Sequence, residues 1–235
     1  MSVLRRITRD TRLLLEVLAV AGLVWIFFAI TNAVTQNETQ TFDEKVLLSL
    51  RTDAAGKDPI GPEWVEVAMV DLSALGSGAV ATLVTTLSVV FLLLDRKPRL
   101  AIMLAVCALG TYGVMSAFKD IFARGRPVII HALRGENGYS FPSGHASIGA
   151  ALYVTLAVLI ASGLERRRLR VYVIFAGVGL ALLIGFTRIY IGVHYPSDVV
   201  AGWTVGTAWA TLCGAVSRQL QKRGVVEGTP EAPRP

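Results

Sequence analysis

Three short segments of the sequence carry most of the side chains that bind anions or transfer protons. They read KDIFARGRP at 119–127, PSGH at 142–145 and TRIYIGVHYPSD at 187–198. Fixed cations and backbone N–H donors are the groups that bind a phosphate dianion. Two histidines can share the remaining chemistry, since one can attack phosphorus while the other protonates the leaving group. The residue types therefore indicate phosphate binding and phosphoryl transfer.

The third segment is the most specific of the three. His194 and Asp198 are four residues apart, and Pro196 between them suits the first turn of a helix. Asp198 can then reach back to the His194 ring, and a carboxylate at Nδ1–H leaves Nε2 free as a nucleophile. Arg188 precedes them near the end of an apolar run, where a charge requires a polar partner. The alternative, that Asp198 only complements the helix dipole, leaves Arg188 and His194 unexplained.

The first segment supplies two cations. Lys119 and Arg126 are seven residues apart, which is two helical turns, but Pro127 disfavours helical geometry at Arg126. We therefore predict a helix that carries Lys119 and ends before Arg126. Considered alone, the two cations are better explained as side chains that extend to lipid headgroups.

The second segment precedes a long apolar run and predicts the start of a helix. Helix N-termini present unpaired N–H groups and a partial positive charge, which makes them anion sites. Gly144 lets a ligand approach the backbone, Ser143 offers a hydroxyl, and His145 titrates near neutral pH. The competing interpretation is a serine N-cap beside a surface histidine. We expect Ser143 both to cap the helix and to bind phosphate.

Histidines also bind metal ions, but the sequence disfavours that use here. It contains no HxxxH or HExxH pair, and Lys119, Arg126 and Arg188 occupy the region where a divalent cation would bind. We therefore predict no metal and no other cofactor. His131 lies outside the three segments and is expected in a solvated loop.

Long apolar helices must position these segments. The chain has 235 residues, of which 53% are hydrophobic and 17% charged, and its mean hydropathy is +0.56. Apolar runs of about 18 residues or more with few charges are typical of membrane spans. Such runs lie at 13–34, 74–94, 100–118, 146–163, 171–190 and 198–217. We predict an all-α polytopic membrane protein, a bundle of six transmembrane helices, whose first run is a retained helix rather than a signal peptide.

Basic residues are distributed unequally between the two ends of these helices. Fifteen of the 23 lysines and arginines lie in the terminal segments and in loops 95–99 and 164–170. By the positive-inside rule, both termini are cytoplasmic and the three segments lie on the periplasmic or extracellular face of the cell membrane, in a bacterium the inner membrane. The net charge of +6 is thus a topology signal and predicts no nucleic-acid partner.

The acidic segment 35–73 mixes apolar and charged residues at roughly helical spacing. One interpretation is a pair of short interfacial helices that cover the site; the alternative is an ordinary solvated loop. Residues 1–217 are predicted to form one transmembrane domain. The segment 218–235, which is Pro-rich near its end, is predicted to be a disordered cytoplasmic tail.

The three segments resemble the signature motifs of the type-2 phosphatidic acid phosphatase superfamily, K-x6-R-P, P-S-G-H and S-R-x5-H-x3-D. The resemblance covers about 80 residues, and Thr187 replaces the usual serine but keeps a hydroxyl. It implies that His194 is the nucleophile, that Asp198 orients it, and that His145 is the general acid. It also implies a set of residues that hold the phosphate oxygens, namely Lys119, Arg126, Ser143, Gly144 and Arg188.

The resemblance implies a metal-independent membrane lipid phosphatase that hydrolyses a phosphomonoester or pyrophosphate lipid through a phosphohistidine, with no obligatory protein partner. Undecaprenyl pyrophosphate, phosphatidylglycerophosphate, phosphatidic acid and lipid A all fit, because the motifs bind the phosphate and the spans bind the tail. Soluble haloperoxidases resemble the pattern and hold vanadate in it, but six membrane spans argue against that activity. A binding or transport protein for anionic lipids is the other alternative. The two histidines favour catalysis, since binding requires neither an acid nor a nucleophile.

Overall fold

The computed structural model describes residues 2–53 and 58–226, without the side chains of residues 2–10, Arg12 and Lys222. These residues form α-helices, with a 3₁₀ turn at Ala74–Gly76 and a π-helical turn at Gly149–Tyr153. The helices are α1 Ser2–Thr35, α2 Gln40–Ser49, α3 Glu63–Ser73, α4 Gly78–Leu94, α5 Pro98–Phe122, α6 Gly144–Ile148, α7 Val154–Ser162, α8 Arg167–Ile191 and α9 Pro196–Lys222. The all-α architecture predicted from the sequence is confirmed.

The helices provide five or six membrane spans. Five stretches are long and apolar enough to cross a membrane, namely Leu13–Thr35, Pro98–Phe122, Gly144–Ser162, Arg167–Ile191 and Pro196–Gln221. A sixth span results when α4 is taken together with α3, to which it is joined at a bend of 51°. α4 begins at Gly78, later than predicted, because the side chain of Ser77 accepts the N–H of Val80 at 3.3 Å and starts the helix there.

Helix α9 packs against several other helices and holds the PSGH segment in place. α1 packs along it, and α6 packs against it together with the π-helical turn. A β-carbon at Gly202 of α9 would lie 2.6 Å from the carbonyl oxygen of Ser143. One at Gly206, a turn later, would lie 2.3 Å from the carbonyl oxygen of Ser147. The absence of side chains at these two positions is therefore what lets α6 approach α9 so closely.

Aromatic rings join α1 and α5 to the residue before the PSGH segment. Phe27 stacks on Phe118 with ring centroids 4.9 Å apart, and on Phe141 at 6.0 Å. Phe122 packs edge-on against Phe141 at 5.4 Å. Each such pair contributes about 0.5–1.5 kcal/mol beyond its buried area. The cluster thereby fixes the end of α5 beside the start of α6.

The segment between α1 and α4 folds over one end of the bundle. α2 buries Asp43 and Leu47 and contacts α9, while α3 packs against α8. Arg51 is only 7% exposed and donates a hydrogen bond to the carbonyl oxygen of Tyr190 at 3.0 Å. The predicted short helices are therefore present, and they cover the ends of α8 and α9 instead of forming an ordinary solvated loop.

The opposite end of the bundle is closed by contacts of the last helix. Glu16 of α1 pairs with Arg218 of α9 at 2.9 Å. α9 continues to Lys222, five residues past the predicted end of the domain, and Val226 beyond it packs in an apolar cluster with Leu220. For 218–226 the predicted disordered tail is thus replaced by helix and a packed turn, because apolar side chains there bury against α5. Residues 227–235 lie outside the described residues.

Candidate active site

The three predicted segments meet at the end of the bundle that α2 and α3 cover. α5 ends where Ala123 adopts a left-handed conformation at φ 44°, so that Arg126 lies in the following loop as predicted. The PSGH segment begins α6, and Arg188 lies in the last turn of α8. His194 lies in the loop after α8, and Asp198 lies in the first turn of α9.

His194 and Asp198 form the pair that their spacing predicts. Both are buried, with 1% and 0% of their side chains exposed, and Nδ1 of His194 lies 3.5 Å from Oδ2 of Asp198. The two atoms are close enough to interact electrostatically, but they do not form a hydrogen bond. The same Oδ2 accepts the backbone N–H of Tyr195 at 2.9 Å, which caps the start of α9. Asp198 therefore both caps the helix and faces the imidazole.

The imidazole of His194 is uncharged at neutral pH. Burial has the largest effect and, together with Arg188 and Arg126, lowers the pKa of His194 to about 4, although Asp198 opposes the shift. Nε2 lies 3.3 Å from Nη1 of Arg126. Because a guanidinium can only donate, Nε2 is the acceptor in this contact and the ring proton is on Nδ1, toward Asp198. The tautomer is the one that leaves a lone pair on Nε2.

Arg126 is fixed in this orientation by main-chain oxygens on both sides. Its Nη1 donates to the carbonyl oxygen of Val193 at 2.8 Å, and its Nε donates to that of Gly138 at 3.2 Å. Its Nη2 pairs with Glu136 at 3.2 Å. These contacts fix the guanidinium in one orientation beside Nε2 of His194.

Arg188 has the polar partners that its position in an apolar helix requires. It is 2% exposed, and its Nη1 donates to the hydroxyl of Ser73 at 2.6 Å. Its Nη2 pairs with the carboxylate of Glu136. Ser73 ends α3, so the segment between α1 and α4, residues 36–77, which we call the covering segment, contributes directly to the orientation of this arginine.

Glu136 bridges the two arginines with its two carboxylate oxygens. One oxygen pairs with Arg126 and the other with Arg188. Burial of Glu136 raises its pKa, but Arg188, followed by Arg126 and His145, lowers it by more, so the carboxylate stays ionised. The Glu136 carboxylate thus pairs with the two arginines as the negatively charged oxygens of a phosphate would.

The PSGH segment presents a hydroxyl, an open backbone and an imidazole. Ser143 is the N-cap residue of α6, but its hydroxyl makes no capping hydrogen bond and is buried without a partner. Ser143 therefore occupies the predicted cap position, but the predicted side-chain cap is absent; its backbone N–H donates to the Asp198 carbonyl oxygen at 2.9 Å. A β-carbon at Gly144 would meet no atom within 4 Å, so there is room for a ligand beside this backbone.

Lys119 and His145 belong to the same electrostatic cluster. Lys119 interacts with Arg126, Glu136 and Arg188, and His145 interacts with Arg188, Glu136 and His194. Every residue predicted to hold phosphate or to transfer a proton is thus brought to one end of the bundle. His131 is exposed in a loop outside the cluster, as predicted. Thr187, which replaces the usual serine, donates its hydroxyl back to the carbonyl oxygen of Ile184 at 2.7 Å.

Several polar residues of the site were not predicted. Glu136 and Ser73 hold the arginines, and Arg124 pairs with Asp198. Asp43 and Ser197 in turn contact Arg124. Arg124 stands within the first motif and could have been singled out by its charge. Asp43 and Ser73 belong to the segment before α4, where no local pattern separates them from the other polar residues of that segment.

Comparison with known proteins agrees with this arrangement. A family model described as PAP2 superfamily matches residues 99–222. Phosphatidylglycerophosphatase B of Bacillus subtilis is 39% identical over 74 residues, which are 30% of this chain and 36% of that protein. Undecaprenyl-diphosphatase of Sulfolobus acidocaldarius is 34% identical over 89 residues, 38% of this chain and 37% of that protein. The chain thus matches about a third of the length of these curated relatives.

The likeness of the fold extends over most of the chain. The crystal structure of a transmembrane PAP2 type phosphatidylglycerolphosphate phosphatase from Bacillus subtilis matches with a TM-score of 0.77 and 22% identity, over 86% of this chain and 96% of that chain. The residues matched by the family model make up just over half of the sequence and contain all three motifs. The chain belongs to the PAP2 superfamily.

Proposed function

We propose that this protein is a membrane lipid phosphatase that releases phosphate from a phosphomonoester or pyrophosphate lipid through a phosphohistidine. The observation that supports this most is the buried, uncharged His194, whose Nε2 faces Arg126 at 3.3 Å while Asp198 lies behind Nδ1. An unprotonated nucleophile beside a fixed cation that can bind a phosphoryl oxygen is what in-line phosphoryl transfer needs. The names of the relatives, a phosphatidylglycerophosphatase and an undecaprenyl-diphosphatase, belong to the same class of reaction.

In the first step, Nε2 of His194 forms a bond to phosphorus while the bond from phosphorus to the leaving alcohol or phosphate oxygen breaks. The imidazole gains a positive charge, which Asp198 stabilises through Nδ1–H. His145 donates a proton to the leaving oxygen. The charge on the phosphoryl oxygens is balanced by surrounding donors, namely Lys119, Arg126, Arg188, the hydroxyl of Ser143 and the N–H of Gly144.

In the second step, a water molecule attacks phosphorus and the bond between phosphorus and Nε2 breaks. His145 has lost its proton in the first step, so it can accept one from the attacking water. This returns His145 to its acid form and His194 to its neutral form, and phosphate is released. No other group needs to change its protonation state.

An apolar cavity supports a lipid substrate over a soluble phosphoester. A cavity of about 290 Å³ lies between α4, α5 and the helix that begins with PSGH. Its lining includes Val89 and Leu109, and it reaches Ile148 and Leu152 on that helix. Ile148 is one turn after His145, so the cavity could hold the hydrocarbon chain of a lipid whose polar head reaches the histidines.

Two further features are part of the proposal. The cations Lys119, Arg126 and Arg188 surround the two histidines, and they would repel a divalent ion from them, which supports hydrolysis without a metal. The excess of basic residues at the opposite end supports an orientation with both termini in the cytoplasm and the site on the periplasmic or extracellular face.

The test is phosphate release by the purified protein in detergent micelles. The substrates are phosphatidic acid, phosphatidylglycerophosphate, undecaprenyl pyrophosphate and lipid A, each with and without EDTA. We expect release from at least one lipid, unchanged by EDTA. A protein that binds these lipids without releasing phosphate would instead be a binding or transport module. Loss of activity with EDTA and recovery with magnesium would contradict the metal-independent mechanism.

A further inference from the structure

Asp43 is a fully buried carboxylate far from the three motifs in the sequence. It lies on α2, outside the residues 99–222 that the family model matches, and none of its surface is exposed. Its Oδ1 accepts the backbone N–H of Ser197 at 3.0 Å, and its Oδ2 accepts the Ser197 hydroxyl at 2.5 Å. A buried charge is costly unless it is paired, so contacts of this quality point to a defined role.

Arg124 pairs with Asp43 and Asp198 at the same time. Its Nη2 lies 3.0 Å from Oδ2 of Asp43, and its Nη1 lies 2.6 Å from Oδ1 of Asp198. Nη1 also donates to the Ser197 hydroxyl at 2.8 Å, and the guanidinium stacks 4.2 Å above the ring of Tyr195. The planar guanidinium is thereby held between the two carboxylates with little freedom to rotate.

These contacts determine how Asp198 faces His194. Oδ1 of Asp198 is taken by Arg124, and Oδ2 is left for the N–H of Tyr195 and for Nδ1 of His194. If Asp43 were absent, Arg124 would pair with Asp198 alone and would neutralise it. Because Asp43 shares the charge of Arg124, Asp198 keeps negative charge toward the imidazole, which becomes positive when His194 attacks phosphorus.

We propose that Asp43 and Arg124 are positioning residues for the nucleophile, with Asp43 acting through Arg124 and Asp198 on His194. The proposal rests on the phosphatase function proposed above. It assigns to α2, a helix of the covering segment, a part in the chemistry of a site whose motifs all lie in the second half of the chain. The polar contacts of the Asp43 and Arg124 side chains are to each other, to Ser197 and to Asp198, so both would act on the reactivity of Nε2 and not on substrate binding.

Orthovanadate and inorganic phosphate distinguish this role from a merely structural one. Orthovanadate forms a bond to a nucleophile and mimics the transition state, whereas phosphate binds through the surrounding cations and donors. Titration of each anion into the purified protein in detergent gives the two affinities. For Asp43→Asn we expect the affinity for vanadate to fall by roughly 10-fold or more, as is typical when a supporting contact is lost. The affinity for phosphate should stay within about twofold of the wild-type value. The exposed Glu38→Gln, on the same segment, is the control.

Turnover provides the second readout. Asp43→Asn and Arg124→Gln should each lower kcat for the active lipid by roughly 10- to 100-fold while KM changes little. The double variant should be no slower than the slower single variant, because the two residues act as one unit. A kcat within about twofold of wild type for Asp43→Asn would contradict the proposal.

Other outcomes are equally decisive. Parallel loss of vanadate and phosphate affinity would show that Asp43 maintains the site as a whole and would overturn the positioning role. Arg124→Lys keeps the charge without the guanidinium fork, and it is used in place of Asp43→Asn if that variant does not fold. If neither variant folds, the pair serves stability alone and the positioning role is overturned. If the wild-type protein releases no phosphate from any lipid, the proposed function fails, while the vanadate comparison still decides the role of Asp43.

Discussion

Nη1 of Arg126 lies 3.3 Å from Nε2 of His194, so the nitrogen that would attack phosphorus faces a fixed cation. A phosphoryl oxygen bound to this guanidinium would place phosphorus next to the nucleophile. The contact also identifies the tautomer, because an arginine cannot accept a hydrogen bond. The relationship between these two residues is the basis of the first prediction.

Removal of the nucleophile should abolish phosphate release. His194→Ala has no group to form the covalent intermediate, whereas Asp198→Asn keeps the nucleophile and should leave a small residual activity. Release of phosphate from the active lipid is the measurement, and His131→Ala, a change at an exposed histidine, is the control. Retention of more than about a tenth of the wild-type rate by His194→Ala, a loss below ~1.4 kcal/mol, would exclude His194 as the nucleophile.

The role of His145 can be separated from that of His194 by the leaving group. A lipid alkoxide needs a proton in the transition state, whereas p-nitrophenolate hardly does. We therefore expect His145→Ala to lose far more rate on a lipid monoester than on p-nitrophenyl phosphate. His194→Ala, which should lose both activities, serves as the comparison. Equal losses on the two substrates for His145→Ala would assign this residue to phosphate binding.

Glu136 should compete with phosphate for Arg126 and Arg188. Its carboxylate pairs with both arginines, and the pKa of Glu136 is lowered by Arg188 despite its burial, so the competition persists throughout the neutral range. Glu136→Gln removes the charge and should tighten inhibition by inorganic phosphate several-fold. Product inhibition at pH 7 is the measurement.

The control for Glu136 is Glu165→Gln, an exposed carboxylate at the opposite end of the bundle. Unchanged or weaker phosphate inhibition in Glu136→Gln would show that Glu136 organises the arginines instead of competing for them. Competition between Glu136 and phosphate should weaken only under acid conditions. A carboxylate with a lowered pKa becomes protonated at a lower pH than an ordinary glutamate does.

Stability should fall on acidification because of His194. Its pKa is about 4 in the folded protein and near 6.5 as an ordinary histidine, so between these values the unfolded chain binds a proton that the folded protein does not. The free energy of unfolding therefore decreases as the pH falls from 6.5 toward 4, which means that the folded protein becomes less stable. The unfolding midpoint of the wild type should drop more between pH 7 and pH 5 than that of His194→Gln. An equal drop in both proteins would contradict the lowered pKa, and His131→Gln is the control.

The orientation in the membrane can be tested with single cysteines. Cys107 and Cys213 are replaced by alanine, and a cysteine is introduced at Gly135, near the site, or at Arg168, at the opposite end. In intact spheroplasts an impermeant maleimide should label position 135 and spare position 168, because basic residues concentrate around position 168. The reverse pattern would place the site, and its lipid substrates, on the cytoplasmic side.

Much of the site could be predicted because its signals are local. The spacing of His194 and Asp198 places a carboxylate one helical turn from an imidazole. Pro127 disfavours helical geometry at Arg126 whatever the rest of the chain does, and α5 ends before Arg126, at Phe122. The apolar runs predicted the spans for a similar reason, since length and hydropathy are properties of one segment. Small errors arose where capping or distant packing decided a boundary, at Gly78 and at Lys222.

The sequence by itself thus determined the membrane-spanning helices, the three motifs and the pairing of His194 with Asp198. Only the tertiary structure decided which residues hold that pair and the arginines in place. Asp43 reaches Ser197 across 154 positions, and Ser73 reaches Arg188 across 115. Such contacts depend on how the covering segment folds over the ends of α8 and α9. A single polar residue on a short helix has no spacing to a second residue that would reveal its partner.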